Sequence, residues 1–433
     1  MFDNRFFDYC FSVLDYYYPD FDRHKQLMSV VEAILIAQDP EHADKSCGYP
    51  ASLLGCDSKR RAIEKLGADF LVWYYKNYTS VIGSTLKDEL RALLKDARFF
   101  RPQDVCAYLE GLVLFHFQNE YFMNTQRLLK HPMFLKYRTP GIALSLLYRR
   151  VCAFQGDMGD ADGAKWDAHF QLAIAEVISA YRSRSLSQDV AQRINRYYSM
   201  MYNGYTAVYG NLAHLVGNPS GHHNTSVDNC LGQIIMMSYH AWLYNVPVHQ
   251  FVTEVLFYCC GDDLIWSDRT GLFTPEQISA TYKSMGMFLE FTSADPLDRL
   301  QLNFVGTRPC DREFEEQVLQ MYTYRWSKLR ASRFLHKRKG VAIDRLSKLC
   351  SICQLMFAHK EVYDIMYAMV HEFVRDSVAD GVLSPMDERV AGLLNSIESR
   401  CLFRQYYQWE GLFPGPFAFE TSPELLAGLK KRY

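Results

Sequence analysis

No uninterrupted apolar run in the sequence approaches the roughly 20 residues needed to cross a bilayer, so no transmembrane segment is expected. A secretory signal pattern is also missing, and the 12 cysteines follow no small-domain spacing. Together these features fit free thiols in a reducing cytosol and speak against a disulfide scaffold. Charge of one sign is not in excess. With 47 Lys plus Arg against 49 Asp plus Glu, the formal net charge is -2, so any contact with nucleic acid has to come from local basic patches. Repeats and low-complexity tracts are absent. The C-x-x-C pair Cys350 and Cys353 has no second pair at zinc spacing and lies in an apolar helical pattern, so both read as helix-core residues. What is present is 433 residues, 49% of them hydrophobic, enough for two or three domains or one multi-lobed unit.

The chain is organised around Phe251 to Ser267, FVTEVLFYCCGDDLIWS. Strand formers stand on both sides of Gly261: Val252, Val255, Phe257 and Tyr258 before it, Leu264, Ile265 and Trp266 after it. The pattern predicts a hairpin with Asp262 and Asp263 at its tip. Adjacent carboxylates repel unless a cation sits between them, and Mg²⁺, a hard ion bound through oxygen, is favoured. Gly-Asp-Asp alone arises by chance in roughly one chain in ten of this length. The weight therefore falls on what stands at fixed distances from it.

From the start, the first 45 residues are aromatic-rich and read as packing surface, with a helical pattern through Leu27, Val30, Val31, Ile34 and Leu35. Ser46-Cys-Gly48-Tyr-Pro50 makes a constrained turn, either an ordinary loop or a place where a nucleic-acid backbone comes close. Between Thr85 and Pro102, Lys87, Arg91, Lys95 and Arg98 form a single-signed row on a helical spacing, which is mildly destabilising by itself and points to an external polyanion. Four acids follow, of which Asp162 and Asp167 form the informative pair: the first ends a strand and the second lies one turn beyond it. Asp157 and Asp160 read as capping or solvated turn acids. Helical stretches are expected over Phe170 to Tyr181 and from Ser187 through Val190, Ile194 and Tyr198.

YTAVYGNLAHLV predicts a hairpin turning at Gly210-Asn211. It leads into a flexible loop at Ser220 and Gly221 and a helix start capped by Thr225 with Asp228, placing Asn229 near the first turn. His222 and His223 have no third ligand at metal spacing and read as polar loop residues. A helix is expected from Thr274-Pro-Glu to Gly286, a strand from Met287 to Thr292 and a short strand at Leu302 to Gly306. Beyond Pro309 the periodicity reads as helical, over Arg312 to Leu329, Ile343 to Phe357, Val362 to Val378 and Ser384 to Ile397, with a basic connection at Arg330, Arg333, Lys337, Arg338 and Lys339.

Five stretches occur in a fixed order: S-x-G-Y-P at 46 to 50, KDELR at 87 to 91 with Lys95 and Arg98, D-x4-D at 162 and 167, PSG-x3-T-x3-N at 219 to 229, and GDD at 261 to 263. In this order they resemble the RNA-dependent RNA polymerases of positive-strand RNA viruses, in the picornavirus-like group with caliciviruses, astroviruses and potyviruses. The resemblance covers nearly the whole chain. KDELR and PSG-x3-T-x3-N are its most specific members.

The resemblance implies an α+β right-hand fold of fingers, palm and thumb, with an antiparallel palm sheet and a helical thumb. The fingers are expected over 1–150, including the basic segment 85–102, the palm over 151–310 with a fingers insertion around 172–216, and the thumb over 311–433. It also implies template-directed transfer of ribonucleoside triphosphates to an RNA 3′ end. Two Mg²⁺ ions, replaceable by Mn²⁺, would be held by Asp162 and Asp262 with Asp263 assisting. One ion would activate the 3′-hydroxyl and both would stabilise the transferring phosphoryl group and the pyrophosphate. By the same resemblance, Asp167 and Asn229, with Ser220, Gly221 and Thr225 nearby, would recognise the ribose. Lys87, Arg91, Lys95 and Arg98 would hold the triphosphate, and Ser46, Gly48 and Pro50 would guide template. Expected partners are RNA template and primer, ribonucleoside triphosphates, a protein primer and other viral replication proteins. The expected place is the host-cell cytoplasm, in replication complexes joined to membranes through partners.

The sequence departs from the family pattern at several points. Cys260 stands where Tyr is common before GDD. The lysine proposed as general acid has no evident counterpart: Arg299 is the nearest cation, a poor proton donor, and Lys283 lies on the preceding helix. In the primer-grip segment NFVGTRP only Arg308 is basic. The region before S-x-G-Y-P is shorter than in many relatives, which fits a fragment of a longer polyprotein or a compact variant. Alternative readings are a catalytically silent RNA-binding scaffold, a reverse transcriptase, and a helical interaction module with accidental motifs.

Overall fold

The computed structural model describes residues 2–48, 51–67, 69–71, 81–83, 85–86, 99–123, 131–135, 140–208, 211–291, 302–314, 317–324, 342–357, 360–399 and 402. The strands are β1 (Val81–Gly83), β2 (Thr85–Leu86), β3 (Phe99–Phe100), β4 (Asp157–Gly163), β5 (Asn203–Val208), β6 (Asn211–Val216), β7 (Val255–Cys260), β8 (Asp263–Asp268), β9 (Leu289–Phe291), β10 (Thr307–Phe314) and β11 (Gln317–Tyr324). A four-stranded sheet runs in the order β7-β8-β4-β9, with β4 and β9 antiparallel. A second sheet has β1 parallel to β5 and β5 antiparallel to β6. The chain divides into two compact units. The first comprises Met1–Lys136, Ala161–Leu264 and Thr270–Phe291, the second Tyr137–Asp160, Ile265–Arg269 and Thr292–Tyr433.

The first unit is built on two helices with little exposed surface. Thr225–Leu243 is buried without interruption from Val227 to Ser238, which an element with a polar face would not tolerate. Val105–Phe122 is likewise mostly buried, and Asp104 caps it by accepting the Cys106 and Ala107 amides at 2.8 and 3.0 Å. Asn4–Tyr17, capped by Asp3, buries Phe6, Cys10, Val13 and Leu14 on one face. Phe6 meets Tyr239 and Trp242 edge-on, so the aromatic N-terminal stretch does pack, against helix Thr225–Leu243. Helix Val30–Gln38 forms where expected, with a Ser29–Glu32 capping box, but its buried face is Ala33 and Ala37. Val31 and Leu35 point outward, because small side chains allow the closer approach.

Two boundaries differ from the sequence reading. Val252 belongs to helix Val248–Glu254, which starts after Pro247, and β7 begins only at Val255. Proline's fixed φ favours a helix start, and this overrides the strand preference of a single valine. In the β5–β6 hairpin Val208 pairs with Asn211, so Asn211 is a strand residue, and the connection is 209–210, outside the described residues.

The second unit holds the largest correction. Residues 302–306 form a turn closed by a Phe304–Thr307 bridge where a strand is expected. Where Arg312 to Leu329 is expected to be helical, the described residues are strand: β10 and β11 pair antiparallel from Thr307↔Tyr324 to Phe314↔Gln317. The Val, Tyr and Thr content of QVLQMYTY favours a strand, and pairing with β10 outweighs its apparent helical period. The remaining helices fall where expected, at Ala342–Leu355, Lys360–Ala379 and Glu388–Ser396. Cys350 and Cys353 are buried on the first of these and are not joined in a disulfide. Tyr363 donates to the Ile397 carbonyl at 2.5 Å and Gln354 to Ser396 Oγ at 2.9 Å, tying the three helices together.

Candidate active site

Asp162 is exposed near the end of β4 and stands in register with Glu290 of β9. Asp262 lies in the turn between β7 and β8, and Asp263 is the first residue of β8. The backbone joins the two acidic segments. The amide of Gly163, next to Asp162, donates to the Asp262 carbonyl at 3.1 Å. Asp262 O also accepts from Gln233 Nε2 at 2.9 Å, and Tyr282 donates to Gln233 Oε1 at 2.8 Å. The Gly261 amide donates to Cys230 Sγ at 3.1 Å. Helix Thr225–Leu243 therefore holds the acidic turn from behind through Cys230 and Gln233, one turn apart on the same face. Neither residue, nor Tyr282, is singled out by the sequence. The only sequence signal is polar atoms inside an otherwise apolar helical pattern, and contact with the turn gives them their meaning. Burial raises the pKa of Cys260, as do Cys230 and the two acids, so the side chain before the turn is a neutral thiol.

Asp160 is not a solvated turn acid. It is a buried residue of β4, and its Oδ2 accepts the Asn303 amide at 3.1 Å. Asp157, exposed at the start of the strand, does face solvent.

Among the described residues, no three His, Cys, Asp or Glu side chains converge tightly enough to hold a metal ion unaided. The donors at the acidic turn are carboxylate oxygens, the ligand type Mg²⁺ takes. That ion usually binds one or two carboxylates and completes its shell with water and substrate phosphates. The donor set fits the ion on that basis, and substrate oxygens are needed to close the shell.

Asp167 lies in the short helix Trp166–His169, one turn past β4. Asn229 Nδ2 donates to Asp167 Oδ1 at 2.9 Å, bringing the two predicted residues together. The Asn218 amide donates to the Asp167 carbonyl at 2.7 Å, and Asn218 Nδ2 to Asn229 Oδ1 at 2.6 Å. His222 Nε2 meets Asn218 Oδ1 at 2.6 Å and Tyr202 Oη at 3.4 Å. His222 lies in the loop, as the sequence reading has it, and is buried there inside a polar network. Burial pushes its pKa down to about 3, with His223 and Arg182 acting in the same direction. His223 donates its backbone amide to Gln103 Oε1 at 3.1 Å.

Thr225 does not cap its helix. Asn224 occupies the cap position without a side-chain bond into the helix, and Thr225 Oγ1 donates to the Pro219 and His222 carbonyls at 2.8 and 3.0 Å, closing the loop that carries Ser220. Asp228 also has another role. Its carboxylate accepts from Arg182 at 2.9 Å, Tyr198 at 3.0 Å and Tyr202 at 2.7 Å, and both members of the ion pair are 0% exposed. Burial works against the Arg182 charge, but Tyr198 and Asp228 raise its pKa overall, so the guanidinium stays protonated.

Gly221 and Gly48 pack on the same segment. A Cβ at Gly221 would lie 2.5 Å from the Arg101 carbonyl, and one at Gly48 would lie 2.4 Å from that of Gln103. Gly48 also has φ +71° and donates to Ser46 Oγ at 3.2 Å. Burial lowers the Arg101 pKa, and the nearby Asp167 carboxylate opposes that shift. Lys87, Arg91, Lys95, Arg98, Pro50 and Arg299 lie outside the described residues, and Lys283 is exposed on helix Pro275–Ser284.

Comparison with known proteins gives three findings. The Sicinivirus 3Dpol RNA dependent RNA polymerase superposes with a TM-score of 0.61 at 16% identity, covering 90% of this chain and 85% of that one. At that identity the likeness shows the fold: α+β, in the right-hand polymerase class. The genome polyprotein of Triticum mosaic virus (isolate Triticum aestivum/United States/U06-123/2006) is 26% identical over 149 residues, 33% of this chain and 5% of the polyprotein. The family model described as "Viral RNA-dependent RNA polymerase" matches residues 11–367. With a match over most of its length, the chain belongs to the viral RNA-dependent RNA polymerase family.

Proposed function

We propose that this chain transfers ribonucleoside triphosphates to an RNA 3′ end on an RNA template, replicating and transcribing a viral genome by a two-metal mechanism. The observation that carries the proposal is the Gly163–Asp262 backbone hydrogen bond at 3.1 Å, which fixes the segments bearing Asp162 and Asp262 side by side. Asp162 and Asp262, with Asp263, are the residues to hold two Mg²⁺ or Mn²⁺ ions. Bound there, the ions supply charge that favours the 3′-oxyanion and stabilises the transferring phosphoryl group. The chain's own part is positional. Gln233 and Cys230 hold the backbone of the turn, so the segment that carries the carboxylates is in place before substrate arrives.

Asp167 and Asn229 offer a joined acceptor and donor for the ribose 2′-hydroxyl, with Ser220, Gly221 and Thr225 shaping the loop beside them. A partly buried polar pair of this kind favours the sugar that completes its hydrogen bonds over the one that lacks the hydroxyl. Lys87, Arg91, Lys95 and Arg98 are the proposed triphosphate contacts, Ser46, Gly48 and Pro50 the template contacts, and Arg299 the proposed proton donor. Proposed partners are RNA template and primer, a protein primer and other viral replication proteins. Among the described residues no helix is long and apolar enough to cross a membrane. Attachment to membrane-associated complexes in the host cytoplasm is proposed to run through those partners.

Primer extension on a short self-annealing RNA, with Mg²⁺ and four ribonucleotides, tests this reading. Template-dependent product that disappears in Asp262→Ala is expected. Undiminished product from the variant overturns the metal-site assignment, and none from folded wild type that still binds RNA favours the silent scaffold.

A further inference from the structure

The polar chain behind Asp167 has a single possible direction. An ionised carboxylate only accepts hydrogen bonds, so the Asn229 group facing Asp167 Oδ1 at 2.9 Å is its NH₂. The Asn229 oxygen therefore faces Asn218, whose NH₂ must supply the 2.6 Å bond between them. The Asn218 oxygen is then left facing His222 Nε2 at 2.6 Å, and that nitrogen has to carry a proton. The other ring nitrogen, Nδ1, accepts the Asn224 amide at 3.3 Å and has to be bare. Tyr202 completes the pattern: its proton goes to Asp228 Oδ2 at 2.7 Å, leaving its oxygen free to accept from His222 Nε2 at 3.4 Å. Every member of the series from Asp228 to Asp167 is consistent with one neutral histidine tautomer.

We infer that His222 and Asn218 are positioning residues for sugar selection: the Nε2–H tautomer of His222 orients Asn218, which locks the Asn229 amide with its NH₂ toward Asp167. The inference rests on the proposed role of Asp167 and Asn229 in reading the ribose. An asparagine without this support loses the anchor on its oxygen, so its amide can swing out of line with the carboxylate and loosen the joined pair. Burial that holds His222 neutral favours the same arrangement, since an imidazolium would carry a second proton where the Asn224 amide needs an acceptor.

Two measurements decide the matter. In the first, single-nucleotide incorporation is compared for ATP and dATP, as kcat/KM, in wild type, His222→Phe and His222→Gln. Phenylalanine keeps the ring and removes the donor, whereas glutamine returns an N–H near the Nε2 position. The ribo-to-deoxy ratio should fall about tenfold in His222→Phe, the usual scale of one lost hydrogen bond, and recover substantially in His222→Gln. An unchanged ratio in folded His222→Phe, or equal losses for both nucleotides, overturns the inference. The second measurement needs no activity. The ¹⁵N shifts of His222, assigned by comparison with His222→Gln, should show a protonated Nε2 and a bare Nδ1 at pH 7. An Nδ1–H tautomer or an imidazolium overturns the relay. Absence of incorporation by wild type counts against the polymerase reading, and the tautomer still decides the relay.

Discussion

Asn229 donates its side-chain amide to the Asp167 carboxylate across 62 positions of sequence, at 2.9 Å. The two residues come from different elements, the short helix after β4 and the long helix Thr225–Leu243. Asn218 reinforces the junction from both sides, donating its backbone amide to the Asp167 carbonyl and its side-chain amide to Asn229.

Gln233 supports the acidic turn from the helix behind it, so Gln233→Leu removes a hydrogen bond to Asp262 O while keeping a side chain of comparable length. On the proposed metal-site reading, a side chain that holds the turn carrying the ligands is worth about 10- to 100-fold in activity. Steady-state kinetics should show kcat reduced on that scale, with RNA affinity unchanged. A variant with wild-type kcat removes Gln233 from the account.

The buried Arg182–Asp228 pair is a structural keystone of the first unit, with the Arg182 guanidinium also lying over Phe115 and Phe122. Arg182→Met leaves Asp228 charged and buried, which costs about 3–5 kcal/mol. Urea unfolding should show that loss, and adding Asp228→Asn to the first change should cost less than the sum of the two single variants. Strict additivity would mean that the two groups do not interact.

Gly221→Ala forces a methyl group against the Arg101 carbonyl, a backbone atom that cannot swing aside. Overpacking at such a point costs about 1–3 kcal/mol. Thermal unfolding should shift downward accordingly, and nucleotide incorporation should fall further than the stability loss explains, because the displaced loop carries Ser220. A variant with the wild-type melting point and rate would contradict the close packing.

His222 and His223 are both held near pKa 3 in the folded chain, chiefly by burial, against an ordinary value of 6.5. Their contribution to stability is complete above pH 6.5 and is lost as pH falls from there toward 3, because the unfolded chain then binds protons that the folded chain refuses. Between pH 7.5 and 5.5, wild type should lose about 1.4 kcal/mol more than His222→Gln in urea unfolding, one histidine's share. The charged and titratable groups around them, Arg182, Lys59, His116 and His42, are common to both proteins, so they cancel in the difference. Equal losses would show that His222 titrates normally.

The ordered motifs made much of the site legible. Asp162, Asp167, Asn229 and the acidic turn occupy a strand end, a short helix, a long helix and a hairpin tip, as their spacing implied. The roles of Thr225, Asp228 and His222 are not legible in the sequence, because local pattern reads a Thr followed by an acid as a cap and gives a loop histidine no partner. Arg182, 46 positions from Asp228, decides otherwise. The β10–β11 hairpin was missed for the same reason: strand pairing is a non-local fact, and QVLQMYTY satisfies a helical period as readily as an alternating one. In the sequence Gln233 and Cys230 do not differ from other members of a buried helix, and only their contact with the turn distinguishes them.

The most direct test of the account is matched single-nucleotide incorporation of a ribonucleotide and its deoxy counterpart on one RNA primer–template, in wild type and in Asp167→Ala. A ribose-reading polymerase predicts a wild-type preference for the ribonucleotide of about 100-fold or more, and a collapse of that preference in the variant through loss of ribonucleotide use. A wild-type preference for the deoxynucleotide, or a ratio that Asp167→Ala leaves unchanged, would contradict it.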